Sequence, residues 1–332
     1  MVRHIQADRF GDASVLRITE SVLPEPAAGQ VRLRVHAAGV NPADAYVLGG
    51  SYAFYQPSVP FTPGFDAAGS VDAIGAGVTD LKVGDRVFAA PLGLRHSGSY
   101  AELMTCDAVG VHPLPAHLSF GQGAAVGVPY LTAYRALFQR GGLSAGETVL
   151  IHGASGGVGV PCVQLASGSG VTVIGTAGSE AGRLVVAQQG AHHVLDHTKP
   201  GYLGEVAEIT GGRGVQLIIE MAADQNLESD FVALAKYGRI VVVGSRAPIN
   251  FTPRLAMIAE ADIRGTALWN MSVAEVSQAT NAVAEHLARG SAAPVVARSF
   301  PLERAADAVN AVMSSRARGK LILDCSRRRD YP

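Results

Sequence analysis

The sequence predicts an α/β protein in which a doubly wound parallel sheet follows a β-rich, barrel-like domain. Residues 1 to about 120 contain mostly short strands that Gly and Pro interrupt. From about residue 123, short apolar segments alternate with helical ones, as the strands and crossover helices of a parallel sheet do. The third observation is a turn at 152–159, HGASGGVG, which directly follows the apolar run TVLI at 148–151.

The composition indicates a globular chain with a large core. Of 332 residues, 48 % are hydrophobic and 17 % charged, so we expect little disorder and either two domains or one large one. The 27 basic and 28 acidic residues give a net charge of −1, which argues against nucleic acid or an anionic membrane as the main partner. No apolar run is long enough to span a bilayer and the N-terminus lacks an apolar signal core, so we expect a cytoplasmic protein.

The three cysteines predict neither a disulfide framework nor a zinc knuckle. Cys106, Cys162 and Cys325 lie far apart and form no C-x-x-C pair. We expect them to be small core residues in a reducing compartment.

The β-rich part is predicted from alternation between apolar and polar residues. The segment 30–36, QVRLRVH, alternates as a strand with one wet face does, and 65–74 and 85–90 are similar. Turn signals at 75–77 and 82–85 separate these strands.

The parallel sheet is predicted from apolar, β-branched strands separated by helices. We expect strands at 148–152, 171–175, 216–220, 239–243 and 262–268, and helices at 182–190, 203–210 and 227–236. A helix at 273–289, a strand at 295–300, a helix at 302–314 and a strand at 320–323 follow. These last elements could extend the second domain or return to the first, and we favour a return. The predicted division is therefore 1–122, 123–264 and 265–332, with the arginine run 327–329 in a terminal tail.

The glycine turn predicts a dinucleotide site. Gly153, Gly156 and Gly159 keep a three-residue spacing between a strand and a helix, although the pattern is G-x-x-G-x-x-G rather than G-x-G-x-x-G. A pyrophosphate needs backbone N–H groups at a helix N-terminus with no Cβ in the way. A purely structural βα turn is the alternative.

The residues after the second strand favour NADPH over NADH. NAD-specific domains end this strand with an acidic residue that binds the ribose, but here Ala177 lies at that position. Ser179 and Arg183 follow, a hydroxyl and a cation suited to a 2′-phosphate. Glu180 could instead be the ribose carboxylate, but we expect it in the first turn of the next helix.

Several segments resemble a known family. VNPADAY at 40–46, FTPG at 61–64, VGDRV at 83–87, GSYAE at 98–102 and GETVLIHGASGGVG at 146–159 are similar to the medium-chain dehydrogenase/reductase superfamily, in particular its quinone oxidoreductase (zeta-crystallin-like) branch. The resemblance covers nearly the whole chain. It implies a GroES-like domain followed by a Rossmann NADPH-binding domain and a returning C-terminal segment.

The chain departs from the zinc-dependent members of this superfamily. Asn41 lies where they have a cysteine ligand, their Gly-His-Glu motif reads Gly64-Phe65-Asp66, and the short 91–99 region has no cysteine for a structural zinc. We therefore expect no metal. An acceptor that takes hydride readily, a quinone or an activated C=C bond, is then more plausible than an alcohol.

The resemblance also implies the site residues. The expected catalytic residues are Tyr46, which would donate to the developing oxyanion, Asn41 as a second donor, and Tyr52, which with Tyr55 could stack on a flat quinone. Alternatives are structural tyrosines and a proton delivered by water. The expected cofactor-binding residues are Tyr46, Ser155, Gly156, Gly157, Val158, Gly178, Ser179, Arg183, His197, Asn226, Val243, Gly244, Ser245, Arg246, Ala267, Leu268 and Lys320. His197 could instead be a solvated loop residue and Lys320 a plain surface lysine.

The predicted function is therefore a zinc-independent, NADPH-dependent quinone reductase. Two alternatives stay open, an NADPH-dependent reductase of α,β-unsaturated carbonyls and a non-catalytic, NADPH-binding crystallin-like protein. The strand near 262–268 would lie at a sheet edge, and such strands pair into dimers in the family, so we expect a homodimer, possibly a tetramer.

Overall fold

The computed structural model describes residues 1–22, 24–314 and 317–326. The tail expected at 327–329 lies outside them. The strands of the described residues are β1 Val2–Ala7, β2 Leu16–Ser21, β3 Gln30–Val40, β4 Asp66–Ile74, β5 Arg86–Ala89, β6 Leu103–Asp107, β7 Val111–Pro113, β8 Thr148–Ile151, β9 Thr172–Thr176, β10 His193–Leu195, β11 Val215–Glu220, β12 Leu234–Val242, β13 Asp262–Gly265, β14 Val296–Pro301 and β15 Lys320–Asp324. The α-helices are α1 Pro42–Leu48, α2 Phe120–Gly123, α3 Gly127–Tyr134, α4 Gly159–Ser167, α5 Glu180–Gln188, α6 Glu205–Thr210, α7 Ala223–Asn226, α8 Pro253–Ala259, α9 Val273–Ala288 and α10 Ala305–Met313.

The first compact unit comprises the described residues within Met1–Val128 and Ala293–Pro332. Its main sheet has the order β14-β15-β3-β4-β5-β7, and β6 also pairs with β3. Strand β3 is eleven residues long, which allows it to pair with β15, β4 and β6 along its length. Val31, Leu33 and Val35 of β3 are buried at every second position, as the alternation predicts.

The second unit, Pro129–Ala292, is built on six parallel strands in the order β10-β9-β8-β11-β12-β13. Numbered by their occurrence in this unit, the strands run 3-2-1-4-5-6, the order of dinucleotide-binding domains. Val149, Leu150 and Ile151 of the inner strand β8 are all fully buried, which explains why its sequence is continuously apolar. The predicted doubly wound sheet is thus confirmed. Its outer strand β13 lies at an edge, as expected, while the homodimer stays a prediction.

One predicted element of the second unit is wrong, and one is shorter than expected. No α-helix covers 227–236, a segment that the structure describes in full. A short 3-10 helix, Ser229–Val232, leads instead into β12 at Leu234. Strand β12 bulges between Leu234, which pairs with Val215, and Arg239, which pairs with Leu217. Tyr237 lies in this bulge and has φ +62°. The bulge breaks the strand periodicity, so the segment resembles a helix in sequence. The strand expected at 262–268 ends at Gly265.

The chain returns to the first unit later than expected. Residues 265–292, including α9, belong to the second unit, where Arg135 forms an ion pair of 2.9 Å with Glu275 in the first turn of α9. Gln139 adds a hydrogen bond of 2.9 Å to the Glu275 carbonyl. Only from Ala293 does the chain join the first unit, where β15 pairs with β3. None of the helices in the described residues is both long and apolar enough to cross a membrane.

Candidate functional site

The glycine turn after β8 is closely packed. The Gly153 N–H donates to Thr176 Oγ1 at 3.2 Å, and the Gly156 N–H donates back to the Gly153 carbonyl at 2.9 Å. A Cβ on Gly159 would lie 2.3 Å from the Gly153 oxygen and 2.6 Å from Ala154 Cα, so no side chain fits there. A Cβ on Gly156 would meet only the Gly153 oxygen, at 3.2 Å. The turn therefore brings bare backbone to the N-terminus of α4, the geometry that a pyrophosphate requires.

The end of β9 carries a hydroxyl and a cation instead of an acid. Ala177 is buried, and Ser179 caps α5 by accepting a hydrogen bond of 3.1 Å from the Gly182 N–H. Glu180 is the first residue of α5, which confirms its expected place in the first helical turn. Arg183 forms an ion pair of 2.8 Å with Asp196.

His197 lies beside this group and contributes little positive charge. Its Nδ1 lies 3.3 Å from Thr176 Oγ1, and a Cβ on Gly178 would lie 2.5 Å from its Nε2. Burial lowers the pKa of His197, so at neutral pH Arg183 supplies the cation here.

The loops that follow β11 and β12 are bonded to each other. Ala223 N–H donates to the Gly244 carbonyl at 2.9 Å, and Arg246 N–H donates to Asp224 at 3.0 Å. Asn226, at the end of α7, donates its side-chain amide to Glu220 at 3.2 Å. This pairing positions the predicted cofactor residues Asn226, Val243, Gly244, Ser245 and Arg246.

Ala267 and Leu268 need a correction, because they lie beyond β13 rather than within a strand. Ala267 precedes a 3-10 helix, Leu268–Asn270, in which Leu268 is buried. They still follow the carboxyl end of β13. The structure thus brings the predicted cofactor residues of the second unit to the carboxyl edge of one parallel sheet, where ligands bind in such folds.

In the first unit, a buried ion pair and a hydrogen bond form at Asp66 and Asn41, two positions at which the resemblance implies zinc ligands in the zinc-dependent relatives. Lys320 Nζ is 3.1 Å from Asp66 Oδ2 and also donates to Asn41 Oδ1. Asn41 Nδ2 donates to the same Asp66 oxygen at 2.9 Å, and the Val128 N–H donates to Asp66 Oδ1 at 2.7 Å. Lys320 is 5 % exposed and Asp66 0 %, so the surface-lysine alternative is wrong. An ammonium group bound to Asp66, with Phe65 beside it, does not fit a zinc site.

Asp44, which is not among the predicted site residues, is buried beside this pair. It accepts hydrogen bonds from the Asn41 N–H at 2.7 Å and from the Tyr100 hydroxyl at 2.9 Å. Burial raises the pKa of its carboxyl to about 7. The spacing N-x-x-D at 41–44 is a capping-box signal that could have identified it.

The predicted catalytic tyrosines lie in and after α1. The rings of Tyr46 and Tyr52 are 6.3 Å apart and nearly parallel, and Phe54 meets Tyr52 edge-on at 5.4 Å. Tyr55 belongs to a different group, since it stacks on His96 and contacts Phe65. Tyr46 and Tyr52 are both half-buried, which leaves part of each ring accessible.

Two parts of the chain match known protein families, and relatives match it over nearly its whole length. Residues 27–116 match the alcohol dehydrogenase GroES-like domain family, and residues 157–285 match the zinc-binding dehydrogenase family. The quinone oxidoreductase of Rattus norvegicus is 42 % identical over 97 % of this chain and 98 % of that protein. The quinone oxidoreductase of Homo sapiens is 41 % identical over the same shares of both chains.

Solved structures share the fold over nearly their whole length. An NAD-dependent alcohol dehydrogenase superposes with a TM-score of 0.89 at 26 % identity, covering 98 % of this chain and 100 % of that one. A mycobacterial protein in complex with NADPH superposes with a TM-score of 0.86 at 27 % identity, covering 97 % of this chain and 99 % of that one.

Proposed function

The chain belongs to the quinone oxidoreductase branch of the medium-chain dehydrogenase/reductase superfamily, and from this membership we propose that it is a zinc-independent, NADPH-dependent quinone reductase. The observation that carries the proposal is the buried ion pair between Lys320 and Asp66. Zinc alcohol dehydrogenases need a Lewis acid to activate an alcohol. Here the corresponding positions hold Asn41 and the carboxylate of Asp66, which is already paired with Lys320. A quinone accepts hydride without activation by a Lewis acid.

The choice of NADPH is supported by the residues after β9. Ala177 cannot bind a ribose hydroxyl as an acid does, whereas Ser179 and Arg183 suit a 2′-phosphate. The NADPH complex of the structurally similar mycobacterial protein agrees with this choice. When bound, NADPH supplies a hydride from nicotinamide C4. In this proposal the turn containing Ser155, Gly156, Gly157 and Val158 binds the pyrophosphate.

A direct assay tests the function. The purified full chain, supplied with NADPH, is expected to reduce a benzoquinone with a higher kcat/KM than an enone or enal. The loss of NADPH absorbance measures both rates. Faster turnover of the enone would establish the unsaturated-carbonyl reductase instead. NADPH binding without turnover of any acceptor would indicate the crystallin-like alternative.

Replacing Arg183 tests the coenzyme assignment. We expect Arg183→Ala to raise KM for NADPH by about tenfold or more, the effect of losing one charge-assisted hydrogen bond, and to leave KM for NADH unchanged. Asp196→Asn is the matched control, because it removes the partner of Arg183 but keeps its charge. Steady-state kinetics with both coenzymes decides, and equal effects on NADPH and NADH would contradict the assignment.

Tyr46 is proposed to donate a hydrogen bond to the oxygen that becomes anionic as the quinone accepts hydride. Removing one such donor typically costs about a hundredfold in rate. We expect Tyr46→Phe to lower kcat by this order, with NADPH affinity measured separately by fluorescence titration. Tyr55→Phe, a half-buried tyrosine of the neighbouring aromatic group, is the control. A Tyr46→Phe enzyme with wild-type kcat would assign the donor role to water or to Asn41.

A further inference from the structure

The first unit contains a cavity that neither the sequence analysis nor the proposed function uses. We call it the β1 cavity, because His4 and Gln6 of β1 line it, together with the end of β2 and parts of the segments 60–62 and 96–103. Its volume of about 390 Å³ lies within the range of about 300–1,000 Å³ that is typical of small-molecule sites. None of the predicted catalytic residues is among the described residues that line it.

Hydrogen bonds hold the walls of the β1 cavity in place. His4 Nδ1 is 2.8 Å from Thr62 Oγ1 and His4 Nε2 is 3.1 Å from Ser21 Oγ, so one imidazole joins β1 to β2 and to the loop that contains Thr62. In the same loop, the Phe61 N–H donates to the Ala7 carbonyl at 3.0 Å, and the Ala7 N–H donates to the Phe61 carbonyl at 2.9 Å. The cavity is therefore preformed, as most small-molecule sites are.

The lining of the β1 cavity favours an uncharged ligand. None of the described residues that line it is a lysine, arginine, aspartate or glutamate. Burial lowers the pKa of His4 and lowers that of His96 to about 4, so both rings are neutral at neutral pH. An ion that entered the cavity would lose hydration without gaining an opposite charge.

Two neutral hydrogen-bond donors lie in this lining. The Gly98 N–H donates to His96 Nδ1 at 3.2 Å, so the proton of the neutral ring is on Nε2. The Thr105 N–H donates to Ser97 Oγ at 3.0 Å, and the hydroxyl keeps its own hydrogen for donation. Neither hydrogen has an acceptor among the described residues. A carbonyl oxygen, which accepts two hydrogen bonds and donates none, matches this pair.

Aromatic side chains in the lining favour a flat ligand. Phe61 and His96 both line the β1 cavity. The centroid of the His96 ring lies 5.9 Å from that of Tyr55 and 5.6 Å from that of Phe65, and these contacts fix the orientation of the imidazole. Planar rings pack against such surfaces in offset or edge-to-face geometry, which adds to the free energy of burial.

We propose that the β1 cavity binds an uncharged, planar aromatic carbonyl compound, whose oxygen accepts hydrogen bonds from His96 Nε2 and from the Ser97 hydroxyl. Phe61 contacts the ring of this compound. The site is not catalytic, because none of the described residues that line it is among those proposed to bind NADPH or to contact the quinone. The proposal is independent of the proposed function, since binding is measured without turnover.

Saturation-transfer NMR of the full chain with 1-indanone tests the proposal. This ketone is neutral and planar, and it lacks the activated C=C bond that the proposed reaction reduces. Without NADPH, we expect a saturable 1-indanone signal, and no saturable signal from indane-1-carboxylate, an anion of similar shape. A 1-indanone signal that does not saturate, or equal binding of the anion, would overturn the proposal.

Variants of the two donors place the ligand in the cavity. His96→Phe keeps an aromatic ring beside Tyr55, and Ser97→Ala removes only a hydroxyl. Each is expected to raise Kd for 1-indanone about tenfold, the effect of one lost hydrogen bond. His112→Phe is the matched control, because this half-buried histidine of β7 contacts Phe88 outside the cavity. Unchanged Kd in both cavity variants, or an equal rise in the control, would overturn the proposal.

A further variant separates the β1 cavity from the proposed quinone site. We expect Tyr52→Ala to leave Kd for 1-indanone unchanged. If Tyr52→Ala abolishes binding while the two cavity variants retain it, the ketone binds at the quinone site and the proposal is wrong. Circular dichroism reports the folding of each variant. If both cavity variants fail to fold, a crystal structure of the wild type with 1-indanone decides by the position of the ketone.

Discussion

Replacing Lys320 with methionine is expected to lower the free energy of unfolding by about 3–5 kcal/mol, the usual cost of removing one partner of a buried ion pair. Asp66 is 0 % exposed, and its carboxylate would lose the ammonium group 3.1 Å away. Asn41 Oδ1 would lose its hydrogen bond to the same group. Urea unfolding of the wild type and variant at one pH measures the loss.

A double variant distinguishes the loss of charge from the loss of packing. Lys320→Met combined with Asp66→Asn removes both charges and is expected to recover much of the lost stability. If the double variant is as unstable as Lys320→Met alone, the cost arises from packing and the ion pair is not its source. The same comparison bears on function, because a weakened pair would also free Asn41.

Replacing Gly159 with alanine is the second change with a large expected effect. Its Cβ would lie 2.3 Å from the Gly153 carbonyl oxygen and 2.6 Å from Ala154 Cα, both backbone atoms that cannot rotate away. We expect a loss of about 3 kcal/mol in the free energy of unfolding, together with weaker NADPH binding, because the whole turn must shift. Urea unfolding and NADPH fluorescence titration measure the two effects.

Gly156→Ala is the matched control in the same turn. Its added Cβ meets one atom at 3.2 Å, so we expect stability within about 1 kcal/mol of wild type. Its NADPH affinity should nevertheless fall, because the added methyl group lies in the turn that is proposed to bind the pyrophosphate. Equal stability of the Gly159→Ala and wild-type proteins would show that the turn adapts more readily than its packing indicates.

Local sequence patterns predicted most elements of the second unit because their causes are local. The strands at 148–151 and 172–176 are apolar and rich in β-branched residues. The turn that follows the first strand contains glycines, because its backbone segments approach too closely for side chains. The capping position of Ser179 and the place of Glu180 also depend on residues within one helical turn. The helix prediction at 227–236 failed for a non-local reason, because the bulge in β12 forms where this strand pairs with β11.

The candidate site was predicted less completely. Its glycines, Ser179 and Arg183 form a contiguous region of sequence, and the resemblance assigned Tyr46 and Asn41. The hydrogen bond between Asn41 and Lys320 could not be predicted from local sequence, because the two residues are 279 positions apart. Asp230 likewise meets His152 across 78 positions, with no motif to connect them.

The sequence by itself determined the fold class and the strand–glycine turn–helix unit, and it fixed the residue types at 41, 65 and 177 on which the predictions of no zinc and of NADPH rest. These features depend on residue type and on neighbours a few positions apart. Only the tertiary structure decided that Lys320 is buried against Asp66, that α9 stays with the second unit, and that His152 meets Glu220 and Asp230. Such contacts depend on the order in which strands pair, which brings distant residues together and is not encoded in any short pattern.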